Sequence, residues 1–118
     1  YATDFRLTFE AGAPALRTAR RAGLAWPDAT VETYLALLAG QPDTHIARKL
    51  GREEAERVSA RAAEVRRAGG VRTAAGREQI ARLDRELRDA TNSRNPGTTA
   101  DLTCAALFVV ILEYGWHS

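Results

Sequence analysis

Two short polar stretches contain the residue types that bind phosphate and metal ions. The first, residues 95–101, reads NPGTTAD and stands directly before the apolar run LTCAALFVVIL. Pro96 and Gly97 predict a turn, because proline ends a preceding helix and glycine tolerates tight backbone angles. Thr98 and Asp101 have the spacing of a helix capping box. The same helix start would present backbone N–H groups, hydroxyls and the positive end of the helix dipole, which suits an anion. A structural cap and a ligand site are therefore both open interpretations.

The second stretch, residues 42–49, reads PDTHIARK. Asp43 is predicted to cap a short helix, and His45 and Lys49 then share one face with Arg48 beside them. A carboxylate next to three potential cations suits a polyphosphate bound with a metal. It equally suits an ordinary solvated helix start with a salt bridge. A lone His45 without cysteine or histidine partners is not typical of a zinc site.

The elements that position these stretches are predicted to be helices. Residues 4–10 alternate apolar and polar side chains, but no second segment could pair with them as a strand, so we expect helical or irregular structure there. Glycine, proline and aspartate separate the remaining segments. The predicted helices cover residues 13–22, 28–40 with Asp28 as the cap, 44–50, 52–68, 73–90 and 98–114.

Apolar residues at helical spacing predict which faces are buried. The last helix carries apolar side chains around most of its circumference, which predicts a central, buried position. The sequence therefore predicts an all-α fold, a single compact domain over residues 1–118 with one central hydrophobic helix among amphipathic ones. The predicted core positions are Val31, Tyr34, Leu35, Leu38, Ala55, Val58, Ala62, Val65, Ile80, Leu83, Leu87, Leu102, Ala105, Ala106, Val109, Val110 and Leu112.

Composition narrows the classes of function. The net charge is +2, and the charges alternate in sign along the helices instead of forming the one-signed stripe of a nucleic-acid-binding protein. The longest apolar run is too short for a membrane span. Cys104 is the single cysteine, which favours a reduced, cytoplasmic setting. The sequence holds no methionine, so we expect a piece of a longer or processed chain.

The motifs DTHIARKLG and NPGTTADLTCAALFV, taken together and in this order, resemble the triphosphoribosyl-dephospho-coenzyme A synthase family. That family carries an Asp-Thr motif before a basic turn and a later Pro-Gly-x-x-Ala-Asp-Leu motif that opens a hydrophobic helix. The Asn-Pro-Gly-Thr-Thr form is similar to a divergent branch, since the better-known synthases have Ser-Pro-Gly-Gly-Ser there. The resemblance covers nearly the whole chain, and it implies the C-terminal portion of a longer enzyme.

The resemblance implies a transferase that moves the triphosphoribosyl unit of ATP to a ribose hydroxyl of dephospho-coenzyme A, or a related acceptor, and releases adenine. It implies Asp43 and Asp101 as catalytic carboxylates, one acting as base and one holding a Mg²⁺ ion, with the two roles unassigned. Arg94 also lies close enough in sequence to assist. The implied substrate- and phosphate-binding residues are Thr44, His45, Arg48, Lys49, Asn95, Gly97, Thr98 and Thr99.

A non-catalytic helical subunit or interaction module derived from the same family is the alternative. Its arginine-rich helices over residues 52–68 and 73–90 would then be docking faces, although solvent-facing salt bridges are their ordinary role. In either case we expect packing against a missing N-terminal half, a companion chain or a second copy, and neither nucleic acid nor membrane as a partner.

Overall fold

The computed structural model describes residues 8–88 and 97–114. All secondary-structure elements in these ranges are helical, which confirms the predicted all-α class. Asn95 and Arg94 lie outside the described residues, as do residues 4–7. The elements are a π-helical turn Thr8–Gly12, α1 Ala13–Arg21, α2 Trp26–Gly40, α3 Thr44–Leu50, α4 Arg52–Arg67, a 3₁₀ turn Gly70–Arg72, α5 Ala74–Leu87 and α6 Gly97–Tyr114.

Helix α2 begins two residues earlier than the sequence suggested. Trp26 is its first residue and Ala25, with extended backbone angles, is its cap, so the prediction of Asp28 as the cap is wrong. Pro27 explains the shift, because proline is well tolerated in the first turn, where its missing N–H costs no helical hydrogen bond. Asp28 instead lies inside that turn and pairs with Arg77 of α5 at 2.9 Å.

The core forms around α2, which packs against α1, α4, α6 and both short turns. The predicted stripe of α4 is buried throughout, and on α5 Leu83 is buried while Ile80 and Leu87 are partly buried. A second cluster joins α1, α2 and α6 through Leu16, Ala29 and Val110. The larger cluster consists of Leu35, Leu38, Ile46, Ala55, Val58, Ala62, Val65 and Leu83.

Helix α6 is buried along one side in the part whose side chains are described. Leu102, Ala106 and Val110 face the core, whereas Cys104 and Ala105 are exposed. The prediction that Ala105 is buried is therefore wrong, because the neighbouring elements cover one side of the helix and not its whole circumference. The side chains at the predicted core positions 109 and 112 lie outside the described residues.

The end of α2 is fixed by a buried hydroxyl of α4. Ser59 Oγ donates to the carbonyl oxygens of Leu38 and Ala39, at 2.8 and 3.2 Å. These carbonyls belong to the last turn of α2, where helical partners are missing. The bonds hold the chain where it leaves α2 and turns toward Asp43. In the described ranges, no helix is long and apolar enough to cross a membrane.

Candidate functional site

Asp43 is the cap of α3, as the sequence predicted. Its backbone is extended, and its Oδ1 atom accepts hydrogen bonds from the backbone N–H groups of His45 and Ile46, at 2.8 and 3.1 Å. These are two of the donors that have no partner within the helix. The side chain is only 2% exposed. The short α3 helix is thus started by a buried carboxylate.

The other oxygen of Asp43 holds the start of α6. Its Oδ2 atom accepts from the backbone N–H and from the hydroxyl of Thr99, both at 2.7 Å. Thr99 is 4% exposed, and its carbonyl accepts a bond from the hydroxyl of Thr103 one turn later, at 2.8 Å. The carboxylate therefore accepts four hydrogen bonds, which matches its roughly four lone-pair positions. One side chain joins the two motifs.

Helix α6 does not begin at Thr98, the cap that the sequence suggested. Helix α6 already includes Gly97, so Thr98 lies inside the first turn and is not its cap. The orphan N–H of Thr99 is satisfied by Asp43, a residue of the other motif. A carboxylate accepting from both the N–H and the hydroxyl of one threonine makes charge-assisted bonds that a local threonine cap could not. The side chain of Thr98 lies outside the described residues.

Tyr34 is a neighbour of this carboxylate that the sequence assigned only to the core. It is half-buried on α2 and packs against the larger apolar cluster. Burial raises the pKa of its hydroxyl above the ordinary value, and the negative charges of Asp43 and Asp84 raise it further. With its pKa raised in this way, the hydroxyl stays protonated at neutral pH. The sequence indicated Tyr34 only as a residue on the buried face of α2.

The other predicted residues of α3 lie in its first and last turns. Thr44 is exposed and His45 is half-buried, both in the first turn of α3. Arg48 and Lys49 are exposed in the last turn of the same helix, about one turn or 5.4 Å along its axis from the start. The structure thus brings the two helix starts together and places these two cations further out.

The salt bridge considered for this helix is not seen. Among the residues that the structure describes, neither Arg48 nor Lys49 pairs with a carboxylate. Both side chains are exposed at the outer end of α3.

Asp101 differs from Asp43 in its surroundings. It is exposed on α6, two residues after Thr99, and therefore accessible to a ligand. No group of three or more His, Cys, Asp or Glu side chains in the described ranges is arranged to hold a metal ion. A magnesium ion commonly uses one or two carboxylates together with substrate phosphates, and Asp101 fits that kind of binding. Asp43 fits it only if its bonds to Thr99 are released.

Comparisons with known proteins point to the family that the two motifs resemble. A family model described as ATP:dephospho-CoA triphosphoribosyl transferase matches residues 1–118. A probable 2-(5''-triphosphoribosyl)-3'-dephosphocoenzyme-A synthase of Stutzerimonas stutzeri is 35% identical over 105 residues, 89% of this chain and 36% of that protein. The corresponding synthase of Klebsiella pneumoniae is 34% identical over 96 residues, 81% of this chain and 34% of that protein. The chain spans about a third of the length of these relatives. No solved structure matches it significantly.

Proposed function

The chain belongs to the ATP:dephospho-CoA triphosphoribosyl transferase family, and we propose that it supplies part of the active site of such a transferase. The observation that carries the proposal is the carboxylate of Asp43, which joins the starts of α3 and α6 and so brings both family-like motifs to one place. The match over the whole chain favours this function over a non-catalytic module. Because ATP is the donor, we place the reaction in the cytoplasm.

The proposed reaction exchanges one bond at the anomeric carbon of ATP for another. The bond between ribose C1 and adenine N9 breaks, and a bond between that carbon and a ribose hydroxyl oxygen of dephospho-CoA forms. Adenine leaves with the bonding electron pair and takes up a proton, while the attacking hydroxyl loses one. Positive charge develops on the sugar as the base departs, as in other glycosyl transfers. The site must therefore hold the triphosphate and place a carboxylate near the reacting sugar.

We assign the two aspartates different roles. Asp43 is the positioning residue, because all of its hydrogen-bonding capacity is used to hold α3 and α6. Its alternative role as base or metal ligand requires release of Thr99. Asp101, exposed beside that pair, is the carboxylate that reaches the substrate, either as the base for the attacking hydroxyl or as a ligand of Mg²⁺. A bound Mg²⁺ would neutralise phosphate charge.

The cations of α3 provide the phosphate contacts in this proposal. Arg48 and Lys49 are exposed, so the charged ends of both side chains can reach a bound triphosphate. Side chains of a helix lean toward its N-terminus, which directs Arg48 and Lys49 back toward Thr44 and His45. Thr44, His45 and the backbone at Gly97 and Thr98 complete the proposed binding surface. Thr99, predicted from the sequence as a phosphate contact, is buried and donates its N–H and its hydroxyl to Asp43, so we assign it to positioning and not to phosphate binding. Asn95, in the preceding segment, is retained as a candidate.

The test uses the full-length enzyme that contains this chain, with ATP and dephospho-CoA as substrates. Adenine release and formation of the coupled product are measured by chromatography. We expect Asp101→Asn to lower kcat by about 10² or more, the range of general acid–base and metal contributions. The double variant Arg48→Gln/Lys49→Gln should instead mainly raise KM for ATP, because it removes phosphate contacts.

Matched controls separate these effects from loss of surface charge. Glu78→Gln and Arg82→Gln alter an exposed pair on α5, joined at 3.1 Å within one helix. Both should leave kcat and KM within about twofold of the unaltered enzyme, since exposed pairs contribute little. If Asp101→Asn retains the activity of the Glu78→Gln control, Asp101 is not the reacting carboxylate and the proposed site is wrong.

A further inference from the structure

A cleft lies between α1, α2, the end of α4 and the 3₁₀ turn. Its volume is about 710 Å³, and an adjoining cavity adds about 290 Å³. Cavities of roughly 300–1,000 Å³ commonly bind small molecules and cofactors. The two share part of their lining: Thr18, Glu32, Arg66 and Arg72.

The lining of the larger cavity is strongly basic. Arg66, Arg67 and Arg72 contribute three guanidinium groups, and Glu32 is the single acid among its lining residues. The Glu32 carboxylate is already engaged, because it accepts from the N–H of Val71 at 3.4 Å and pairs with Arg72 at 3.7 Å. The cleft therefore carries an excess of positive charge.

Arg66 and Arg67 differ from the other arginines of α4. Neither pairs with a carboxylate within the described parts of the chain. Both residues stand in the last turn of α4, where the helix dipole favours cations, and their guanidinium groups border the cavity without a carboxylate partner in the described residues. The arginines closer to the start of α4 are each paired with a glutamate: Arg52 with Glu56, Arg57 with Glu54 and Arg61 with Glu86.

The turn that carries Arg72 is held tightly in place. Gly70 has a positive φ of 56°, and a Cβ atom there would lie 2.2 Å from Oε2 of Glu32. A Cβ atom on Gly76 would lie 2.1 Å from the carbonyl oxygen of Gly70. The hydroxyl of Thr73 donates to the carbonyl of Ala68 at 2.6 Å, which closes the turn against the end of α4. The guanidinium groups therefore project from a fixed backbone.

We propose that this cleft binds a phosphoanhydride, the diphosphate or triphosphate group of a nucleotide. Arginine suits this ligand because its planar guanidinium donates two parallel hydrogen bonds to phosphate oxygens. Small residues leave room for the ligand beside the charged groups: Ala39, Gly40, Ala63 and Gly69. Gly40 also ends α2, three residues before Asp43, so the cleft borders the segment that leads into the candidate active site.

ATP and dephospho-CoA both carry such a group, and a transferase that joins them needs a second phosphate site besides Arg48 and Lys49. Assignment of the cleft to one of these two substrates rests on the proposed function. Phosphoanhydride binding by the cleft does not, because it follows from the charges and shape of this part of the chain alone.

The test is a calorimetric titration of the 118-residue chain with inorganic tripolyphosphate, followed by ATP and dephospho-CoA. Every chain in the titration carries Arg48→Gln/Lys49→Gln, so that the phosphate contacts proposed for α3 do not contribute, and the cleft variant adds Arg66→Gln/Arg67→Gln. The matched control is Arg82→Gln/Arg85→Gln, which removes the same two charges from exposed positions of α5 outside the cleft. Circular dichroism of both variants establishes that each retains the helical fold.

We expect the cleft variant to bind tripolyphosphate about tenfold or more weakly, and the control to stay within about twofold. The nucleotide whose affinity falls in parallel is the occupant. Equal weakening in both variants, or no tripolyphosphate binding by the chain with an intact cleft, would overturn the inference, as would unchanged binding of both nucleotides in the cleft variant. Failure of the transferase proposal would appear separately, as retained activity of Asp101→Asn.

Discussion

Replacement of Asp43 by alanine tests the central feature of the structure, the carboxylate shared by two helix starts. The substitution removes a cap from α3, which alone costs about 0.5–2 kcal/mol. It also leaves the N–H and hydroxyl of Thr99 without their acceptor in a site where Asp43 is 2% and Thr99 4% exposed. Buried donors that lose a charged partner cost about 1–3 kcal/mol each, partly offset because the carboxylate no longer has to be desolvated. We expect unfolding free energy to fall by about 3–5 kcal/mol in total.

Urea denaturation followed by circular dichroism measures this loss. Thr73→Ala is the control, because Thr73 is an exposed cap: its hydroxyl accepts from the N–H of Gly76 at 2.9 Å and donates to the carbonyl of Ala68 at 2.6 Å. It should cost about 1 kcal/mol. A loss for Asp43→Ala no larger than the loss for Thr73→Ala would show that the bonds to Thr99 contribute nothing, and the reasoning would fail.

A double-mutant cycle measures how much the hydrogen bond between the Asp43 carboxylate and the Thr99 hydroxyl stabilises the fold. Thr99→Val removes the hydroxyl but keeps the backbone N–H, so it breaks one of the two bonds between Asp43 and α6. We expect Asp43→Ala and Thr99→Val to be coupled by about 1 kcal/mol or more, since the two residues are in direct contact. Strict additivity would mean that the hydroxyl bond does not stabilise the fold.

Three further predictions, tested with four substitutions, concern the packing of the helices. Gly76→Ala should destabilise the protein by about 2 kcal/mol or more in urea denaturation, because its Cβ would meet the backbone of Gly70 at 2.1 Å. Gly40→Ala is the control: nothing lies within 4 Å of its Cβ, so it should be neutral or slightly stabilising. Equal effects of the two substitutions would contradict the close contact at Gly76. Ser59→Ala should cost about 1–2 kcal/mol by leaving two carbonyls at the end of α2 without their donor, and a thermal melt unchanged from wild type would refute this. The raised pKa of Tyr34 means that the unfolded chain loses its phenolic proton first, so stability should fall as pH rises above about 10. Tyr34→Phe should flatten that decline between about pH 9 and 11, and an unchanged slope would show that this hydroxyl is not responsible.

Sequence reasoning predicted what depends on neighbours along the chain. Asp43 as a cap followed from an aspartate directly before a helical segment, and glycines with positive φ at positions 23, 51 and 69 end helices as expected. The shared role of Asp43 could not be predicted in this way, because Thr99 lies 56 residues later and only tertiary packing brings it near. The start of α6 shows the same limit: Asp43 accepts from the N–H of Thr99, and no pattern within residues 95–101 indicates a partner from the other motif.

The wrong assignments elsewhere have similar causes. Asp28 was a plausible cap, but Trp26 and Pro27 can already adopt helical angles, and an ion pair with Arg77 gives the carboxylate another partner. Ala105 belongs to an apolar run, yet small apolar side chains are tolerated at the surface, so composition alone does not show which side of a helix is covered. The cleft with Arg66 and Arg67 was missed because paired and unpaired arginines look alike in the sequence.

The bond between Asp43 and Thr99 also bears on how such a protein can vary. Since a direct contact joins the starts of α3 and α6, the two motifs can meet in the same way at different spacings along the chain, provided that α4 and α5 keep their packing in the core. Changes at positions 43 and 99, by contrast, must be compatible with each other: an acceptor at one and a hydroxyl at the other. Among homologues of differing length, this pair should therefore be a more dependable landmark for alignment than the spacing between the motifs.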